Sequence, residues 1–166
     1  VDYVQISSPG FGDFLKERVP EIDKVTSPIL NNVWYDIENT NRKIHHVDKD
    51  FFYFFPAKFS VGGSDFLDTP NNIAVSKGFA DYLAKSGPVI GREIDHNSNR
   101  YIVNAVFDEY GSNVLSGCDI LMNNEAIRKS GHNDFIHRHR GSMTFFSVNP
   151  SADMDEEKAK LKNTMI

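Results

Sequence analysis

Apolar and polar positions alternate most legibly between Asn72 and Asp108. Ile73-Ala74-Val75 is a short apolar run suited to a buried strand. Ser76 then stands where a hydroxyl can accept a hydrogen bond from the first free amides of a helix Lys77 to Lys85, whose apolar stripe is Phe79, Ala80 and Leu83. Gly87 is placed for a left-handed C-terminal residue, and Pro88 stops propagation. Gly91 opens a strand at Arg92-Glu93-Ile94, the polar turn His96 to Asn99 reverses the chain, and Arg100 to Asp108 is a second, strongly apolar strand. A hairpin following a βα unit points to an α+β arrangement.

The flanking pattern extends this grammar. Ser8-Pro9 predicts a helix start, with Phe11, Phe14, Leu15 and Val19 at helical spacing and Pro20 as its end. Val25, Ile29, Val33, Tyr35 and Ile37 fall largely on alternate positions and predict one long strand bent at Pro28; Asn39-Thr40-Asn41 turns it back into Lys43 to Val47. Asp48 to Asp50 are expected to cap a helical turn Phe51 to Phe55, closed by Pro56. Lys58 to Val61 reads as a short strand ended by Gly62-Gly63, and Ser64 to Asn72 as a polar, turn-rich segment pinned by Phe66 and Leu67. Further on come a loop Glu109 to Gly117, a strand Asp119 to Met122 feeding a helix Glu125 to Lys129, and a loop or edge strand from Ser130 to Gly141. A strand Met143 to Val148 and a terminal helix Asp153 to Met165 complete the chain.

Composition narrows the classes. Residues 1–166 fit a single domain, arranged in two lobes, with enough core to need no staple. The net charge of -5 and the lack of a Lys/Arg-rich run remove the electrostatic footprint of a nucleic-acid binder. A lone cysteine, Cys118, allows no internal disulfide. The longest apolar run, Phe51 to Phe55, is far short of a membrane span, and the opening residues are not expected to be a signal peptide. With Val1 in place of Met, the sequence is expected to begin inside a longer reading frame or after a cleavage.

Candidate chemistry is sparse. His132, His137 and His139 could gather around a metal, but no carboxylate or thiolate is fixed beside them, and surface or interface histidines are the favoured account. His45 and His46 point to opposite sides of a strand. Asp48/Asp50 and Asp155/Glu156/Glu157 read as helix caps and solvated helix ends, with no catalytic pair among them. Ser76 lacks the Gly-x-Ser-x-Gly elbow of a nucleophile, and no Gly-Lys-Ser/Thr phosphate loop is present. The rings of Phe51 to Phe55 are expected to pack in the core, with a groove for lipid or peptide as the alternative and one exposed edge ring as the mixed case. No catalytic, cofactor-binding or metal-binding residue is assigned.

Several of these segments together resemble a family. Asp50-Phe51-Phe52, Gly62, Ile73-Ala74-Val75-Ser76 with Phe79-Ala80, Ile90-Gly91, Tyr101 to Phe107 and Asp119-Ile120-Leu121 are similar to the core-domain pattern of MacB/FtsX-type ABC transporter permeases. The chain departs from that pattern at Ala105, where many relatives carry Gly, and at Gly111-Ser112-Asn113. The resemblance implies an α+β fold with a mixed or antiparallel sheet and helices packed on it. It also implies a position outside the cytoplasmic membrane between the first two membrane helices, with ATP hydrolysed by a separate ATPase subunit or domain. A second permease copy, and an adaptor protein or a lipoprotein or peptide cargo, are the implied partners, and no cofactor is implied. The reading from another class is a free-standing secreted or periplasmic binding protein for a small apolar ligand or peptide. Its aromatic groove would be Phe51 to Phe55.

Overall fold

The computed structural model describes residues 2–7, 11–108, 116–125, 142–149 and 159. Two sheets carry the fold. The smaller is antiparallel, with β10 (Ser142–Val148) flanked by β1 (Asp2–Ser7) and β2 (Ile22–Thr26). The larger runs β3 (Ile29–Ile37), β4 (Thr40–Val47), β9 (Ile120–Asn123), β6 (Asn72–Ser76), β8 (Asn99–Phe107), β5 (Phe59–Val61), with β7 (Glu93–His96) also paired to β8. It is mixed: β4/β9 and β6/β8 are parallel and the other pairs antiparallel. The fold is α+β in two lobes, and the β6/β8 pair encloses a βαβ unit into which the β7 hairpin is inserted.

The expected long strand Val25 to Ile37 is two strands in different sheets. Thr26 pairs with Phe145 in the small sheet, whereas Ile29 pairs with His46 in the large one. Pro28 has no N–H to offer either ladder, so Ser27-Pro28 is where the chain crosses between lobes. β1 was not anticipated at all. The β3–β4 reversal also sits one residue earlier than expected, at Glu38 and Asn39, both with positive φ (54° and 58°). Asn97 and Ser98 repeat that geometry (49° and 62°) between β7 and β8, as two-residue hairpins of matching twist require.

Alternation within the central strands sorts the core onto two faces. Ile73, Val75, Ile120 and Met122 join Phe79, Leu83, Ile94 and Val103 on the side covered by α3 (Lys77–Ala84). Ala74 and Leu121 join Phe51, Phe66, Leu67, Phe107 and Cys118 on the side covered by α2 (Phe51–Phe54) and the 3-10 helix Ser64–Asp68. The small lobe has one cluster, built from Leu15, Val19, Ile22, Val25 and Phe146 beneath α1 (Phe11–Arg18).

Helix ends follow the sequence in part. Ser76 Oγ accepts from Phe79 N at 3.2 Å, as expected. The C-terminus of α3 differs, because Gly87 has φ +145°, outside the left-handed helical region. Ser86 N and an Arg92 guanidinium N–H close that end instead, both donating to the Leu83 carbonyl at 3.0 and 3.2 Å. Gly62 explains how Ala105 is accommodated. Its φ is +69°, and a Cβ there would lie 2.9 Å from the Asn104 carbonyl oxygen and 3.0 Å from the Ala105 Cβ, so the glycine at the close approach is Gly62.

Several expectations lie outside the described residues: the Ser8-Pro9 helix start, the Glu109 to Gly117 loop up to residue 115, Glu125 to Lys129 beyond Glu125, Ser130 to Gly141, and the terminal helix apart from Ala159, which is helical.

Candidate functional site

A polar cleft of about 360 Å³ lies where the two lobes meet. Its walls are Gly12, Asp13 and Lys16 of α1, Val25 of β2 and Ser27 just beyond it, the turn Asp48-Lys49-Asp50, and Asn123 at the end of β9 with Asn124 and Glu125. Two of these segments come together because one residue pair repeats the same bond. Asp50 Oδ2 accepts from Val25 N at 3.2 Å and Asp48 Oδ2 from Ser27 N at 3.0 Å, so the turn after β4 holds the edge and end of β2.

This corrects the expectation that Asp48 and Asp50 cap α2. Asp50 has helical φ/ψ (-82°, -8°) and makes no side-chain cap, and Asp48 Oδ1 serves the Asp50 amide at 3.1 Å. Lys16 Nζ and Lys24 Nζ flank Asp50 at 3.5 and 3.4 Å. Ser27 adds two further ties: its hydroxyl bonds Thr144 Oγ1 of β10 at 2.8 Å, and its carbonyl accepts from Asn124 Nδ2 at 3.3 Å. Gly12 lets α1 settle directly on this corner, since a Cβ there would lie 2.7 Å from Ser27 Oγ.

The bonds in the cleft fasten the two lobes together. Burial pushes the Asp48 carboxyl up from the ordinary carboxylate range, against the amide bonds that pull it down, so a shifted group exists where the sequence showed none. Both its oxygens are nevertheless occupied by backbone amides. Among the described residues no group of three or more His, Cys, Asp or Glu side chains is placed to hold a metal ion. Cys118 is buried, its thiol pushed up to about 12 by that burial while the S–H donates to the Ile120 carbonyl, so it is not a reactive thiolate.

Other candidates are dispersed. His45 and His46 are both buried, on opposite faces of β4, as the strand pattern requires. Ser76 is a buried cap. Phe51 is fully buried, Phe52 and Phe55 pack against its cluster, and only Tyr53 of the run is largely exposed, at 57%; none of the five lines the cleft. His132, His137, His139 and Asp155/Glu156/Glu157 lie outside the described residues. Sequence reasoning missed Ser27, Asn123 and Asn124. Ser27-Pro28 inside an otherwise unbroken apolar alternation was the available signal.

The comparisons decide the family. The sequence matches the MacB-like periplasmic core domain across residues 3–164. The chain belongs to that family. Three solved structures share the fold: a domain assigned to a permease protein of Porphyromonas gingivalis (TM-score 0.72, 16% identity, 98% of this chain and 71% of that one), the periplasmic region of MacB from Actinobacillus actinomycetemcomitans (0.67, 11%, 98% and 74%), and the extracellular domain of the ABC-type transporter YknZ from Gram-positive bacteria (0.62, 14%, 93% and 78%). No curated protein matches the sequence. The MacB-like core domain is an extracytoplasmic part of ABC transporter permeases, which work with an ATPase; it is not a family of catalysts. Among the described residues no helix is long and apolar enough to cross a membrane.

Proposed function

We propose that residues 1–166 form one non-catalytic extracytoplasmic unit of a permease in the inner membrane, which engages a peptide or lipoprotein cargo or an adaptor protein and transmits ATP-driven movement of the flanking membrane helices. The observation that carries this reading is the placement of the first and last strands. β1 and β10 lie side by side and antiparallel, with Asp2 opposite Phe146 and Ser7 opposite Ser142. The start of β1 and the end of β10 therefore lie at one end of the small sheet, near Ile22 and Val148, while the cleft lies toward the other end, where Ser27 bonds Thr144.

Such a layout is a lever. Displacement applied to the small sheet reaches the large lobe through Asp48, Asp50, Ser27 and Asn124, whose bonds have fixed direction and resist hinge bending more than an apolar contact of the same size would. The test uses the whole permease, its ATPase partner and reconstituted membranes, with spin labels at Asp23→Cys in β2 and Ser98→Cys at the far hairpin. On ATP addition the separation between Asp23 positions of the two permease copies is expected to change while the Asp23 to Ser98 distance within one copy holds. The double variant Asp48→Asn/Asp50→Asn is expected to broaden that internal distance with ATP hydrolysis intact. An inter-copy distance indifferent to ATP overturns the reading.

A further inference from the structure

Asn124, only 6% exposed in the wall of the interlobe cleft, is half satisfied. Its Nδ2 donates to the Ser27 carbonyl at 3.3 Å, while among the described residues its Oδ1 receives no donor. A buried acceptor in that state costs free energy, which a donor entering the cleft recovers. The volume of about 360 Å³ lies at the low end for a ligand pocket and suits a small occupant.

Charge in the cleft indicates which donor. Its walls carry the carboxylates of Asp13, Asp48, Asp50 and Glu125 against the lysines Lys16 and Lys49. Lys49 is drawn to Asp68, at 2.8 Å and outside the walls. Asp48 already gives both oxygens to backbone amides. Asp50 is held more loosely: Lys16 and Lys24 stay 3.5 and 3.4 Å away, beyond the roughly 2.7 to 2.9 Å of a close charged hydrogen bond. Their side chains are 50% and 40% exposed, so either can give way to a better-placed cation. Asp50 Oδ2 takes the Val25 amide and Asn124 grips the Ser27 carbonyl. Two residues of extended chain span about 7 Å, so one ligand with donors at two points reaches both acceptors.

We propose that the interlobe cleft binds an organic cation, an ammonium or guanidinium group held between Asp50 and the Oδ1 of Asn124, with Asp13 and Glu125 adding negative field at the walls. A bare metal ion is a poorer fit, because among the described residues no three His, Cys, Asp or Glu side chains converge, whereas separated acceptors suit an extended cation. The same chemistry arrives in two forms, as a free polyamine or as a basic side chain of a peptide. The walls come from α1 and β2 on one side and from the turn after β4 and the end of β9 on the other. Occupancy therefore bridges the lobes, and a ligand that binds only the closed junction stabilises it.

The experiment is an NMR titration of the 166-residue chain with spermidine and, separately, with the tripeptide Gly-Arg-Gly, using Gly-citrulline-Gly as the uncharged twin of the peptide. Saturable shifts of the Val25, Ser27 and Asp50 amides and of the Asn124 side-chain amide are expected with at least one of the two cations and not with the citrulline peptide. Saturation by spermidine alone identifies a free polyamine as the ligand, and saturation by the arginine peptide alone a basic side chain. Amide exchange in β2 and β10 is expected to slow on saturation. Asp50→Asn is expected to weaken binding about tenfold or more. Lys24→Gln removes a competing cation while leaving the Asp50 bond to the Val25 amide in place, and is expected to tighten binding several-fold; it carries the test should Asp50→Asn fail to fold. No saturable binding of either cation, equal shifts from the citrulline peptide, or a Lys24→Gln chain that binds no tighter overturns the site.

Discussion

The two lobes solve the same problem by different means. The large lobe seals both faces of its sheet with apolar clusters drawn from one stretch of chain, Ile37 to Met122. Among the described residues the small lobe's apolar cluster has five buried members, drawn from opposite ends of the sequence, Leu15 to Val25 with Phe146. Closing a loop of that length adds an entropic cost before any contact forms, and fewer contacts then repay it. The difference teaches where cohesion comes from: the large lobe stands on its own core, and the small one stands partly on polar ties to Asp48 and Asp50.

That contrast is open to breakage. Phe107→Ala removes a fully buried ring from the large lobe and is expected to cost about 3 to 5 kcal/mol, lost from the whole molecule. Leu15→Ala, equally buried, is expected to cost about 2 to 5 kcal/mol and to release the small lobe alone. Hydrogen exchange reads the distinction. Amides of β1, β2 and β10 should lose protection in Leu15→Ala while those of β4, β6 and β9 keep theirs; uniform loss in both variants would show the lobes to be a single cooperative unit.

Acid sharpens the same comparison, because the buried imidazoles belong to the large lobe. His46 stays neutral in the folded chain down to about pH 4, whereas the unfolded chain takes up that proton near the ordinary value of 6.5. The folded state thus binds fewer protons in that window, so stability is present above 6.5 and falls as pH drops toward 4, by about 3 kcal/mol for this ring. His45 and His96 are lowered too and act in the same direction. Asp48, raised by burial, acts oppositely, its contribution growing as it protonates. Urea midpoints measured from pH 7 to 4.5 should decline, and His46→Gln should flatten the decline.

How much of this could be read from the sequence follows from the range of each interaction. The Ser76 cap, the buried stripe Phe79-Ala80-Leu83, the pins Phe66 and Leu67 and the β7–β8 hairpin were all legible, because each is settled within a few residues. The division between β2 and β3 was not. Val25, Ile29, Tyr35 and Ile37 stay in one alternation across Pro28, and a period of two reports which face a residue takes, not which sheet it joins. Asp48 and Asp50 looked like caps for the helix next to them, whereas their amide partners lie 21 and 25 residues back. β1 depends on a strand at the opposite end of the chain, and no local signal announces that pairing.

The smallest expected effect tests the most legible feature. Ser76 ends β6 and starts α3, so its conformation (φ -66°, ψ 155°) belongs to the strand while its hydroxyl serves the helix. In Ser76→Ala the Phe79 amide loses its acceptor in a place water does not reach, and the expected cost is about 1 kcal/mol in urea denaturation, with the slope unchanged. Ser76→Thr keeps an acceptor at the same reach and should recover most of it. Because α3 covers only one face of the large sheet, the loss should appear in the exchange of β6 and β8 amides and leave β1 and β10 untouched. If the small lobe loosened as well, the junction would be passing strain from one core to the other, and the polar ties would be couplings in both directions.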